Sequence, residues 1–187
     1  MARRTGFVWH EKYAWFDLGQ DAGLFHPDGY SIQPDRHVYD LEVVRRFRNL
    51  LDVSGLLEQL TAVSPRLATD AELGRVHPTA FIETVKQLSA LPMGGEAGDF
   101  APIPRGAFEI ASLAAGGAIA AAEAVVKGNV DNVYALLRPA GHHARPLFSL
   151  DRAWDQRRAR PLMIASAPKR ARIASVARSA AARRLAS

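Results

Sequence analysis

The chain has 187 residues, of which 48% are hydrophobic and 23% charged, a composition typical of one folded domain and not of a disordered chain. It has no cysteine, which excludes disulfides, thiolate nucleophiles and thiolate metal sites and favours a cytoplasmic location. Its net charge of +5 is unevenly divided, because residues 1–144 carry 13 Lys/Arg against 17 Asp/Glu, whereas residues 145–187 carry 11 Lys/Arg against 2 Asp.

The chain is predicted to open with a short strand and to continue into helices. Residues 5–10 form this strand, and a loop rich in Gly, Asp and His follows to about residue 35. The apolar spacing over residues 39–51 predicts an amphipathic helix. Ser54 is expected to cap a short second helix, and residues 60–65 predict another strand.

The middle of the chain carries stronger signals for helix ends. Thr69 and Glu72 have the spacing of a capping box, and Pro78 is expected in the first turn of a helix that ends near residue 90. The Gly and Pro content of residues 91–105 predicts a loop.

A long Ala-rich helix is predicted from about Gly106 to Lys127. Small residues at positions 114–118 would let this helix lie close against a sheet. Its apolar run is too short to span a bilayer and is interrupted by glutamates, and no secretory signal is visible at the start of the chain. We therefore expect a packed helix of a globular domain and no membrane partner.

Two adjacent histidines, His142 and His143, close the turn R-P-A-G-H-H-A that follows the predicted strand V-Y-A-L-L-R. The order strand, helices, strand, helix, strand is typical of an α/β domain with a parallel sheet, in which functional residues lie beyond the carboxyl ends of strands. Neighbouring imidazoles titrate near neutral pH as a coupled pair, which suits them to proton transfer. The alternative is a pair of loop histidines that bond only to the backbone.

The turn R-P-A-G-H-H-A resembles the R-P-P-G-H-H-A signature of the histone deacetylase superfamily, with Ala140 in place of the second proline. T-G-F-V-W-H-E-K-Y-A-W-F-D-L-G resembles the opening strand and loop of that family. V-H-P-T-A-F-I-E-T-V-K-Q-L-S-A and E-I-A-S-L-A-A-G-G-A-I-A-A-A-E-A-V resemble its later helical segments. The resemblance covers about residues 5–144, and the superfamily includes bacterial class II deacetylase-like proteins and acetylpolyamine amidohydrolases.

The resemblance implies a fold and a reaction. The fold is the N-terminal portion of an arginase/deacetylase-like three-layer α/β fold with a parallel sheet. The reaction is hydrolysis of an acetyl amide on lysine or a polyamine, with zinc as the Lewis acid. His143 would be the base that takes the proton of water and passes it to the leaving amine, and His142 would be its electrostatic partner. Asp99 would bind substrate at the pocket rim, with a solvated loop carboxylate as the alternative.

Four further residues are singled out by the same resemblance. His10 and Asp17 are candidates for the entrance of the pocket. Phe16 stands where the bacterial relatives are expected to have a histidine, and His77 is expected to be structural because it precedes a helix.

The family's metal ligands have no match in this chain. They are an Asp and a His in a D-x-H element some dozens of residues after the histidine pair, with a later Asp, and an oxyanion-stabilising Tyr follows. The D-x-H at Asp35–His37 precedes the first long helix instead. Because a zinc site needs about three protein ligands, the expectation is a zinc-dependent amidohydrolase that is inactive as written.

Residues 145–187 are predicted to be a separate Arg-, Ala- and Ser-rich tail, irregular or helical, that follows the deacetylase-like part at 1–144. One hypothesis for the change is a shift of reading frame just after the histidine pair. The alternative function is a non-enzymatic fragment or pseudoenzyme whose basic tail binds polyanions through salt-sensitive contacts. Specific nucleic-acid binding is not expected, because the tail has no reader motif, and the oligomeric state is left open.

Overall fold

The fold is known from a computed structural model, which describes residues 3–18, 20–21, 31, 33, 35–36, 40–98, 101–139 and 165–166. Within these residues the strands are β1 (Thr5–Val8), β2 (Gln20–Asp21), β3 (Asp35–Arg36), β4 (Thr61–Ala62), β5 (Gly95–Glu96), β6 (Pro102–Ile103), β7 (Asn132–Ala135) and β8 (Ala165–Ser166). The α-helices are α1 (Glu42–Val53), α2 (Asp70–Leu73), α3 (Thr79–Ala90) and α4 (Ala107–Val126), and short 3-10 helices span Glu11–Trp15 and Leu57–Gln59.

The central sheet has the strand order β4-β1-β7-β8. β1 lies between two parallel partners, with Gly6 opposite Thr61 of β4 and Val8 opposite Ala135 of β7. The carboxyl ends of these three strands therefore meet at one edge of the sheet, which is the arrangement that the order of strands and helices predicts.

The structure describes two residues of the basic tail, Ala165 and Ser166. They form β8, which pairs antiparallel with β7, with Asn132 opposite Ser166. The physical reason is that the outer edge of β7 offers backbone N–H and C=O groups to any extended segment, whatever its sequence pattern. The predicted domain boundary near residue 145 lies outside the described residues and stays a prediction.

Helices cover both faces of the sheet, so the fold has three layers as expected. Successive side chains of a strand point to opposite faces. In β1, Phe7 packs in one core with Val44 of α1, whereas Val8 packs in the other with α4. The α4 core contains Val8, Ala121, Ala124, Val130 and Val133, and the α1 core contains Phe7, Ala14, Val44 and Leu136.

Glycines let α4 approach its neighbours closely, which confirms the prediction made from its small residues. A Cβ atom at Gly116 would collide with the backbone carbonyl oxygen of Arg66. A Cβ atom at Gly117 would lie 2.5 Å from the hydroxyl oxygen of Tyr13. By length and composition α4 could also cross a membrane, but it packs against β1 and β7, as the core helix of a globular domain does.

Helix boundaries follow the cap residues, with one correction. The capping box of Thr69 and Glu72 is present in both directions and begins α2 as predicted. Ser54, however, ends α1 instead of capping a new helix, because its backbone N–H donates to Leu50 O at 3.1 Å. Gly55 follows with a φ of +71°, a conformation that stops a helix.

The predicted loop 91–105 contains a small hairpin. β5 and β6 pair antiparallel, with Gly95 opposite Ile103. Gly94 has a φ of +69°, and a Cβ atom there would collide with the carbonyl oxygen of Ile103. Gly94, one of the residues that predict a loop here, thus allows the two backbones of the hairpin to approach closely.

Candidate active site

The candidate site lies at the edge of the sheet where the parallel strands end. Leu136 N–H donates to Val8 O at 3.0 Å, so β1 and β7 end side by side. In sequence, His142 and His143 come seven and eight residues after the end of β7. Both histidines and Asp99 lie outside the described residues, and their roles therefore stay predictions.

Two adjoining concavities open beside the ends of β1 and β4, with volumes of about 610 Å³ and 450 Å³. Trp9, His10 and Arg48 line both of them. The first is completed mainly by polar side chains and the second by apolar ones, among them Leu57 and Leu60. This surface therefore offers cationic and aromatic groups at the edge where the candidate site lies.

His10 lines these concavities and also caps the first 3-10 helix. Its Nδ1 accepts a hydrogen bond from the backbone N–H of Lys12 at 3.1 Å, and its ring meets the edge of the Tyr13 ring. Asp17, the other entrance candidate, is exposed and is not among the residues that line either concavity.

Arg138, the first residue of the R-P-A-G-H-H-A turn, is buried and 1% exposed. Its Nε–H donates to the carbonyl oxygen of Phe16 at 3.2 Å, and its Nη1–H donates to that of Asp40 at 3.4 Å. Phe16 is itself buried. Its side chain packs in the core, and its backbone carbonyl accepts the hydrogen bond from Arg138. In the sequence analysis, Arg138 is named only as part of a motif and its burial is not predicted. The signal that could have predicted it is a charged residue at the end of an apolar strand.

Tyr13 is fully buried, and its hydroxyl donates to the carbonyl oxygen of Leu113 at 3.1 Å. Burial raises the pKa of Tyr13 to about 12, which keeps the phenol protonated at neutral pH. The hydroxyl thereby fixes α4 to the segment that follows β1.

His77 behaves as expected for a structural residue. Its ring packs against Phe81 with centroids 5.3 Å apart, and burial lowers its pKa. Its Nδ1 is buried and has no hydrogen-bond partner within the described part of the chain. The neutral ring is therefore the form that this packing favours.

A metal centre cannot be assembled from the part of the chain that the structure describes. There, no three side chains of His, Asp or Glu come together in a group that could hold an ion. Asp35 of the D-x-H motif belongs to β3, which pairs with β2, and His37 lies outside the described residues. The donor set at hand therefore does not fit a zinc site.

Comparison with known proteins gives a consistent match. Residues 37–147 match the family described as "Histone deacetylase domain", a range that includes the histidine pair. The "Histone deacetylase-like amidohydrolase" of Pseudomonas aeruginosa is 46% identical over 149 residues, which are 78% of this chain and 39% of the relative. The "Probable deacetylase" of Archaeoglobus fulgidus is 32% identical over 144 residues, 76% of this chain and 35% of the relative.

Two other similarities broaden the comparison. The "Polyamine deacetylase HDAC10" of Homo sapiens is 30% identical over 146 residues, 75% of this chain and 20% of the relative. The solved HDA15 HD domain superposes with a TM-score of 0.63 at 22% identity, over 79% of this chain and 39% of that one. The chain thus shares the fold of that domain and spans about two fifths or less of the length of these relatives.

Proposed function

The chain belongs to the histone deacetylase family, and we propose that its strand-end turn supplies the proton-transfer groups of an amidohydrolase that acts on acetylated lysine or acetylated polyamines. One observation carries the proposal. The family match runs through residues 138–144, and the first residues of this turn, Arg138 and Pro139, follow β7 at the edge where the ends of β4, β1 and β7 meet.

In the proposed reaction, the oxygen of a water molecule bonds to the acetyl carbon and the C–N bond breaks. His143 takes a proton from this water and returns it to the departing amine, which balances the charge of the products. His142 stabilises the charged form of its neighbour, and Asp99 holds the substrate at the rim.

A zinc ion, when bound, supplies a polarised carbonyl and an acidified water in such chemistry. The described residues offer no ligand set for it. We therefore propose that the chain as given is impaired or inactive as a hydrolase, although it retains the histidine pair. A cytoplasmic location is part of the same proposal.

Two substrate classes are retained because relatives of both kinds are similar to this chain. One is named a histone deacetylase-like amidohydrolase and another a polyamine deacetylase. An acetyl-lysine peptide and an acetylated polyamine should therefore be compared side by side, since the width of the pocket decides between them.

The test is a zinc titration of the full chain with both substrates. Turnover that requires zinc, disappears in His143→Ala and persists in the matched control His77→Gln would support a working site. Zinc binding without turnover would support the impaired form. If the chain neither binds zinc nor turns over substrate, and the pair shows no coupled titration, the enzymatic proposal is wrong.

The second candidate function is binding of polyanions by the basic tail. It is favoured by the charge division, since residues 145–187 carry 11 Lys/Arg against 2 Asp. Affinity for a DNA duplex of arbitrary sequence should then fall steeply with salt. It should also fall in the variant Arg157→Gln/Arg158→Gln/Arg160→Gln. Salt-independent or unchanged binding would reject this candidate.

A further inference from the structure

Arg138 places a charged guanidinium group in the interior of the fold. Moving a guanidinium out of water is costly unless its donors find partners. Arg138 is 1% exposed, and two of its N–H groups donate to carbonyl oxygens, at 3.2 Å to Phe16 and 3.4 Å to Asp40. Both acceptors are backbone atoms, so the interaction fixes the course of the chain and not only a side chain.

These two carbonyls mark the ends of one long connection. Phe16 follows the first 3-10 helix and precedes residue 17, and Asp40 lies two residues before the start of α1. Asp40 is itself held, because its Oδ1 accepts from the backbone N–H of Glu42 at 2.9 Å. A single guanidinium at the end of β7 therefore binds both ends of the segment 17–39.

The geometry requires arginine. The guanidinium is a planar group with several N–H donors in a rigid fork, so its Nε and Nη1 can reach two separate acceptors at once. A lysine ammonium is a point charge on a flexible stem and does not reproduce this spacing.

We propose that Arg138 is a positioning residue for the histidine pair, an inference that rests on the proposed function. By tying the end of β7 to Phe16 and Asp40, it holds the backbone four and five residues before the two histidines in sequence. Arg138 acts through His142 and His143 and is not itself placed at the reacting atoms.

The test is a titration of the histidines by NMR in the full chain, with His142 and His143 assigned through His142→Gln and His143→Gln. In the unsubstituted chain the two imidazoles should titrate as a coupled pair, so that each curve departs from that of a single group. In Arg138→Lys, which keeps the charge and loses the fork, this coupling should be lost, and each imidazole should follow the curve of a single group.

Two controls separate positioning from general stability. The curve of His77 should not change in Arg138→Lys, because this ring packs against Phe81 in α3. Arg66→Lys alters an exposed arginine that binds Glu72 in the same forked manner, and it should leave the His142 and His143 curves unchanged. Unchanged curves for the pair in a folded Arg138→Lys variant would overturn the proposal, as would uncoupled ordinary curves in the unsubstituted chain.

A measurement without substitution covers the case in which Arg138→Lys does not fold. The Nε–H proton of Arg138 should exchange slowly with solvent and show coupling across its hydrogen bond to the Phe16 carbonyl. A rapidly exchanging, uncoupled proton would overturn the proposal. Failure of the hydrolase proposal is distinguishable, because zinc-supported turnover can be absent while the pair still responds to Arg138→Lys.

Discussion

The hydroxyl of Tyr13 donates to the carbonyl oxygen of Leu113 at 3.1 Å, on the surface of α4 where Gly117 has no side chain. The phenol occupies the space that a Cβ atom would need. The close contact between α4 and the sheet therefore depends on a glycine and a tyrosine that are distant in sequence.

Gly117→Ala should destabilise the fold by about 1–3 kcal/mol, because the new methyl group would lie 2.5 Å from the Tyr13 hydroxyl oxygen. Urea unfolding followed by circular dichroism measures the change. In the background of Tyr13→Phe the penalty of Gly117→Ala should be smaller, since the clashing oxygen is gone. Equal penalties in the two backgrounds would contradict the contact.

Thr69→Ala should reduce the free energy of unfolding by about 1 kcal/mol, because it removes the side chain that accepts from the Glu72 backbone N–H at 3.2 Å. The matched control is Thr84→Ala in the exposed part of α3, where the threonine hydroxyl only donates back to Ala80 O. That control should be neutral or slightly stabilising, since alanine is the better helix former. Similar losses in both variants would argue against the cap.

The ion pair of Arg66 and Glu72 should make stability sensitive to acid. Hydrogen bonds from Arg66 and from the Thr69 backbone lower the pKa of Glu72 from 4.5 to about 2. The folded state thus binds this proton less readily than the unfolded chain, so the contribution is full above pH 4.5 and is lost as the pH falls toward 2. Glu72→Gln should differ from the unsubstituted chain in urea unfolding at pH 6 and converge with it near pH 2.

His77 should contribute to a loss of stability in mildly acidic solution. Burial lowers its pKa below 6.5, so the proton binds the unfolded chain more readily than the folded one. The contribution is therefore full above pH 6.5 and decreases as the pH falls toward the lowered value. His77→Phe, which keeps a ring against Phe81, should make the midpoint of urea unfolding less dependent on pH between 7.5 and 5.5. A slope identical to that of the unsubstituted chain would contradict this account.

Asp99→Asn should weaken binding of an acetylated peptide or polyamine about tenfold, because a charged hydrogen-bond acceptor at the proposed rim is lost. Calorimetry measures this without requiring turnover. Asp131→Asn is the control: Asp131 binds the Arg4 backbone N–H at 2.8 Å just before β7, at the opposite edge of the sheet. Equal effects of the two substitutions would reject a substrate role for Asp99.

Local signals in the sequence predicted much of this fold. The capping box at Thr69, the small-residue stretch of α4 and the strand that precedes Arg138 are each encoded within a few neighbouring residues. The structure has them where expected, and the family comparison confirms the resemblance read from the R-P-A-G-H-H-A turn.

The misses have three different causes. Ser54 looked like the start of a helix because the preference of serine for caps does not distinguish the two ends, whereas the positive φ of Gly55 does. The pairing of β5 with β6 and of β8 with β7 rests on two-residue strands, which are too short to show alternation. The burial of Arg138 depends on carbonyls at Phe16 and Asp40, about 100 or more positions away.

The central place of β1 has a consequence for the order of events during synthesis. Thr5 pairs with Asn132, so β1 leaves the ribosome more than a hundred residues before this neighbour exists. Until then, Phe7 and Val8 remain without most of their final surroundings. Such distant pairing slows folding and leaves apolar segments open to self-association, so the nascent chain should depend on chaperones more than a helical bundle of equal size.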